Sequence, residues 1–589
     1  MTAPLGLLYS DRNDPRELNL SPMNKTLFGT LLGTLLIAGC SSQPAPTENI
    51  ADIPLEPVTQ VPGEFNRESL YQLLRAELSG QRRQFDEALE IYLEQARITR
   101  DPAVAERATR IAQYLQRPDE MLQAARLWTE ADPDNPEPYQ LAASLMLHQG
   151  DYQAALPLME QAMAADSRQA LALLSSQSDS MSPEVLDAYI AMISRLLARN
   201  PDDVNLLLTR AQLLKQLDRS DAALADFDRV LALEPDNLDA VMLKAELLRL
   251  NDRSREALRL IRPFQQRFGD NRQLQVLHVQ LLFESDAGRQ AVLAAQDLTR
   301  RFPDDHQLHY YLALLMLEND RLVDSREALE ALLEVEPDNT APYFYLGYIA
   351  QTRGEKEKAI GYFGQVEEGP NLFQSFARTL NMLDRDEDFA RVAIILEEGR
   401  ARFPELATRL YTLQAEWLNL HGHREEAVAL LDAAIEAEGD EVALLYTRAM
   451  LIEPDNFEQM ESDLRQVLEI EPDNASALNA LGYTLTVHTQ RYNEALDLIE
   501  QALALKPDDP AILDSMGWVL FKLGRLDEAI DYLQRAYENF PEPEVASHLI
   551  RAYWADNQRN RARELLELHL SEDPQNEHLR EAVEYIGGK

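Results

Sequence analysis

The chain has 589 residues, with 100 Asp and Glu against 56 Lys and Arg, a formal net charge of −44, and a single cysteine. That balance excludes nucleic acid as a ligand, because phosphate binding needs a basic face and counterion release; Arg82-Arg83 and Arg559 to Arg563 are short and set in mixed charge. One thiol excludes an internal disulfide. An acidic body attracts basic protein partners and speeds their encounter at low salt, and it also keeps a large secreted chain soluble.

Met1 to Pro22 contains Asp11, Asp14 and Glu17, the wrong charge for the start of an export signal, so translation is expected to begin at Met23. Met23-Asn24-Lys25 then precedes an apolar run from Leu27 to Ile37 that ends in Ala38-Gly39-Cys40. The run is too short to span a bilayer and has the charged start, apolar middle and small-residue end of a secretory signal over residues 23–39. Residues 40–63 hold Pro44, Pro46, Pro54, Pro57 and Pro62 without helical period and read as a linker. Such a linker spans about 25–30 Å if flexible and roughly 70 Å if largely polyproline.

From residue 64 to 589 the pattern is helical. Between Tyr139 and Pro574 a unit of about 34 residues recurs, a helix-turn-helix closed by Pro-Asp-Asn or a close variant. Pro201, Pro235, Pro303, Pro337, Pro472 and Pro507 mark the register, each stopping a helix by its missing N–H and its clash with the preceding turn. Asp236-Asn237, Asp338-Asn339 and Asp473-Asn474 follow and offer oxygens that cap the next helix, worth about 1 kcal/mol each. Small residues mark the close approach of the two helices: Ala211, Ala245, Ala313, Gly347, Gly482 and Gly517 on first helices, and Ala223, Ala257, Ala359, Ala495 and Ala529 on second ones. Stacked repeats bury each other's apolar faces, so the terminal repeats are expected to be more polar. The repeat is degenerate over Phe65–Pro102, Arg168–Asn200, Asn371–Phe403 and Gly439–Glu471.

These residues resemble the tetratricopeptide motif, which implies an all-α, right-handed superhelix of about 11–15 repeats. In that family first-helix positions two, five, nine and twelve line the concave face. Carried onto this register, they place Tyr310 and Leu314, Phe344 and Tyr348, Asn479 and Tyr483, and Trp518 and Phe521 there as candidate partner-binding residues. Aromatic side chains at such places are typical interface anchors, and packing against the adjacent repeat is the alternative role.

Ile37-Ala38-Gly39-Cys40 resembles the lipobox of bacterial lipoproteins, which implies a lipid on Cys40. Ser41 and Ser42, with no aspartate after the cysteine, imply sorting to the outer membrane, on its periplasmic side. The layout of lipobox, Pro-rich tether and acidic repeats resembles the pseudomonad outer-membrane tetratricopeptide lipoproteins that act as adaptors for a periplasmic carboxyl-terminal processing protease. That resemblance implies binding and activation of a serine protease and capture of its peptidoglycan hydrolase substrates. The alternative is a structural scaffold in an envelope export or polysaccharide assembly machine.

Catalytic motifs are missing: there is no Gly-x-Ser-x-Gly elbow, phosphate loop, His-Glu-x-x-His helix or paired-cysteine site. His306 with His309 and His421 with His423 come nearest to a metal site, beside ordinary surface carboxylates such as Asp305, and are expected at solvated helix ends or turns. Glu425-Glu426 reads as a solvated face. No enzyme activity, cofactor or metal is expected. If the register is right, Ala223→Leu and Ala529→Leu each cost about 1–3 kcal/mol through overpacking; an unchanged thermal midpoint in either variant would refute it.

Overall fold

The computed structural model describes residues 65–587, apart from 166–170, 172–173, 175 and 453–455. The expected start at Met23, the signal segment, Cys40 and the Pro-rich linker lie outside the described residues. Among the described residues there are thirty α-helices and no strand. They form two compact units, one within Met23–Ala328 and one within Leu329–Lys589.

In chain order the helices open with α1 (Arg67–Gln81), α2 (Phe85–Thr99), α3 (Pro102–Tyr114), α4 (Pro118–Ala131), α5 (Pro136–His148), α6 (Tyr152–Ala165) and α7 (Pro183–Arg199). Next come α8 (Val204–Gln216), α9 (Ser220–Leu233), α10 (Leu238–Leu250), α11 (Ser254–Arg267), α12 (Arg272–Glu284), α13 (Gly288–Arg301), α14 (His306–Glu318) and α15 (Leu322–Val335). The second half holds α16 (Ala341–Thr352), α17 (Lys356–Phe363), α18 (Leu372–Met382), α19 (Phe389–Arg402), α20 (Ala407–Leu420), α21 (Arg424–Glu438) and α22 (Val442–Leu451). It closes with α23 (Phe457–Ile470), α24 (Ala475–His488), α25 (Tyr492–Leu505), α26 (Pro510–Lys522), α27 (Leu526–Asn539), α28 (Pro543–Ala555), α29 (Arg559–Glu572) and α30 (Glu577–Gly587). Taken two at a time they give fourteen described pairs, with α7 and the closing α30 outside them, which agrees with the expected 11–15 repeats.

Stop and start are coded as the sequence implies. After α9 the chain passes through Glu234-Pro235-Asp236-Asn237, and the Asn237 side chain accepts the Ala240 amide at 2.9 Å to open α10. Asn474 does the same for Ala477 at 3.0 Å, at the start of α24. Asn339 is shifted: its oxygen takes the Ala341 amide at 3.2 Å, one residue nearer, because Thr340 occupies the cap of α16.

The turns inside five consecutive repeats carry a signal that the sequence pattern did not disclose. Asp218, Asp252, Asp286, Asp320 and Gly354 all have positive φ and recur every 34 residues. Each lets the next amide reach back to a carbonyl of the preceding helix, as Arg219 does to Leu214 at 2.9 Å and Arg321 to Met316 at 2.9 Å. This is the left-handed helix end that satisfies orphan carbonyls, and aspartate tolerates it better than most side chains.

The small residues sit where the register puts them. Ala211, Ala223, Ala245, Ala257, Ala495 and Ala529 are completely buried. A Cβ on Gly482 would come 2.5 Å from Ile499 and 3.0 Å from the Ala495 carbonyl oxygen; on Gly517 it would come 2.5 Å from Leu533 and 3.0 Å from the Ala529 carbonyl oxygen. In the second unit α24 touches α26, α26 touches α28 and α28 touches α30, so first helices form a layer of their own.

At the N-terminal end of the described residues α1 leaves Leu70, Tyr71 and Leu74 more than 60% exposed. The glycine seats give a direct test. Gly517→Ala should lower stability by about 1–3 kcal/mol through overpacking, despite the roughly 1 kcal/mol of helix propensity that alanine adds; urea unfolding of the variant checks the sign.

Candidate partner-binding surface

Tyr310 and Leu314 lie half-buried on α14 in the first unit. The other six candidates belong to the second unit, and the structure treats them unequally. Phe344 on α16 is only 4% exposed, its ring 5.3 Å from Tyr345 and 5.7 Å from Phe363. Trp518 on α26 is also 4% exposed. The period places both on first helices, but the Phe344 ring is packed against its own repeat and the Trp518 ring against His548 of the next, so neither stands open as an anchor. Tyr348, Asn479, Tyr483 and Phe521 are half-buried.

Around Trp518 three candidates converge with residues that the sequence pattern passed over. The indole stacks with Phe521, at 4.9 Å and 7°, and with His548 of α28, at 4.1 Å and 18°. The Nδ1 of His548 meets both carboxylate oxygens of Asp514, at 2.9 and 3.0 Å, and both residues are buried. Tyr483 of α24 donates its hydroxyl to Glu544 of α28 at 2.6 Å, skipping a repeat; burial first, then the Glu544 charge, pushes the phenol well above its ordinary range.

Two cations attend the same ring. The Arg551 guanidinium lies 5.0 Å from Trp518 and pairs with Glu581 of α30 at 2.5 Å, while Lys522 lies 4.8 Å from the ring. Burial, and then repulsion from Arg551, pulls the Lys522 ammonium below its usual range. Asn479 keeps its Oδ1 buried with no hydrogen-bond partner among the described residues. Asp514 and His548 are 34 residues apart, so the period itself was the signal that could have paired them.

A second cation–aromatic set lies on α16, α18 and α20. Arg378 spans Phe344 at 5.9 Å and Tyr348 at 5.2 Å and donates to Gln351 at 3.1 Å; Arg409 covers the Phe373 ring at 3.7 Å. Glu416 also lies on α20, half-buried, and burial alone lifts its carboxyl to about 7.

The histidine pairs do other work. His309 bonds the Phe302 carbonyl at 2.9 Å, and His421 bonds the Trp417 carbonyl at 2.8 Å while its ring stacks on Trp417 at 4.0 Å. Among the described residues no group of three or more His, Cys, Asp or Glu side chains is arranged to hold a metal, and no helix is long and apolar enough to cross a membrane.

Family models described as tetratricopeptide repeat match residues 208–262, 324–372, 473–542 and 520–584. A relative in Pseudomonas aeruginosa, TPR repeat-containing protein PA4667, is 38% identical over 536 residues, covering 90% of each chain. The chain is a tetratricopeptide-repeat protein. Solved structures similar to this tetratricopeptide protein include Naa15/Naa10 bound to HypK, at 15% identity and TM-score 0.38 over 79% of this chain and 68% of that one. The Cut9–Hcn1 hetero-tetramer of APC/C is another, at 14% identity and TM-score 0.33 over 88% of this chain and 96% of that one. The repeats mark a scaffold for protein–protein interaction.

Glu416 makes the stability of this tetratricopeptide protein depend on pH. Its folded value, about 7, lies above the ordinary 4.5, so its contribution is fully present below about pH 4.5 and is lost as pH rises through 7. Glu416→Gln should therefore match the parent at pH 4 and exceed it at pH 8 by about 1–2 kcal/mol, a figure reduced for partial solvent access. Denaturant titrations at both pH values measure the difference.

Proposed function

We propose that this tetratricopeptide protein is a lipid-tethered adaptor of the bacterial envelope, held on the periplasmic side of the outer membrane through Cys40. Its repeats bind a carboxyl-terminal processing protease, promote its activity and deliver substrates such as peptidoglycan hydrolases; the adaptor itself cuts nothing. The observation that carries the reading is the sequence Leu36-Ile37-Ala38-Gly39-Cys40 ahead of a Pro-rich stretch and a repeat array. That order couples a membrane address to a protein-binding surface.

Several acyl chains anchor far more firmly than one, since each buried methylene contributes about 0.8 kcal/mol. Once protease and substrate share one scaffold their encounter becomes intramolecular, at effective concentrations near the millimolar range for short flexible connections. The half-buried first-helix residues Tyr348, Tyr483 and Phe521 are the surface offered for this.

Labelled palmitate should appear on the mature chain and vanish in Cys40→Ser. Affinity purification of the tethered chain should recover a serine protease together with cell-wall hydrolases, whose lifetime lengthens when the adaptor is deleted. Recovery of membrane channels in place of a protease, with unchanged protein turnover, would favour an export or polysaccharide assembly scaffold.

A further inference from the structure

Three acidic groups on the first-helix layer of the second unit come with partners. Asp514 has His548, Glu544 has Tyr483, and Glu581 has Arg551. Glu416 is different. Two periods after Tyr348, it lies on the least buried stripe of α20, with Arg409, Thr412 and Asn419, while Leu413, Gln414, Ala415 and Trp417 on the other sides are buried. Its carboxyl group has no ion pair or hydrogen bond to any described residue, and no charge among them acts on it alongside burial.

A carboxylate removed from water without a counter-charge is costly, and water reaches this one only from the open stripe. A single carboxylate is a poor metal site, but it suits a charge-assisted bond to one ammonium or guanidinium. On the reading that the first-helix layer holds polypeptides, we propose that Glu416 receives a Lys or Arg side chain of the docked partner. The partner thereby supplies the cation that the repeat lacks. Whole-chain acidity favours the approach of basic proteins in general, whereas this residue fixes where one basic side chain lands.

The test uses the purified full chain and synthetic dodecapeptide pools, random except for a central Lys, Gln or Glu, with binding read by fluorescence anisotropy. The parent should prefer the Lys pool to the Glu pool by about tenfold, a difference of about 1.4 kcal/mol. Glu416→Gln should abolish the preference, and Glu416→Lys should reverse it. Circular dichroism establishes that both variants are folded, and the near-isosteric glutamine keeps the test valid if the lysine variant is not. Equal preference in parent and Glu416→Gln overturns the inference and leaves the polypeptide-binding reading standing. Equal binding of Lys and Gln pools by the parent also overturns it, since Glu416 would then act as an uncharged hydrogen-bonding group. If no pool binds the parent, the reading of this face falls and the inference falls with it.

Discussion

Two helices of a repeat meet only where one of them has almost no side chain. Gly482 and Gly517 occupy seats in which a single added carbon would strike both a side chain and a backbone carbonyl. Ala495 and Ala529, on the opposing helices, are fully buried at the same crossings. Ridge-and-groove packing brings helix axes to about 8–10 Å depending on the side chains between them, and these seats set the near end of that range. With the axes fixed there, large side chains such as Leu481, Ile499, Leu520 and Leu533 close around the crossing. Every later feature, from the turn geometry to the layer of first helices, inherits its position from that contact.

The period governs electrostatics as well as packing. Side chains one repeat apart face each other, so ion pairs join residues about one period apart in sequence: Arg391 with Glu357, Arg249 with Glu284 and Arg195 with Glu160. Most such pairs are exposed and individually worth little. The Arg448 guanidinium differs, because it bridges Asp432 and a buried Asp463 and is itself largely enclosed. A chain with a large excess of acid thus spends its arginines between repeats, and what remains on the open stripes is left for solvent or a partner.

Much of the fold was legible because the rules that encode it are local and repeated. Pro235 must end a helix, Asn237 can cap the next, and Ala529 fits where a larger residue does not; each statement needs only neighbouring residues. The αL aspartates were harder to see, since Asp218 or Asp286 reads like any surface acid until its backbone is known. The candidate face was legible as positions but not as depths. Periodicity places Trp518 and Tyr348 on equivalent helices, yet whether a ring is sealed depends on its neighbour one repeat later, and His548 seals one while the other stays half-buried. The division between Ala328 and Leu329 was invisible for a similar reason: it falls inside a regular helix, where composition does not change.

Bonds that link equivalent places in adjoining repeats, such as Asp514 with His548, have an outcome for how the molecule can change length. Removing a whole repeat brings together surfaces that already know the same grammar of small seat, large neighbour and turn aspartate. Removing a single residue from within a helix turns the rest of that helix by about 100° and misaligns its own crossing. The array is therefore counted in repeats, tolerant of whole divisions and sensitive to a residue lost inside any one helix.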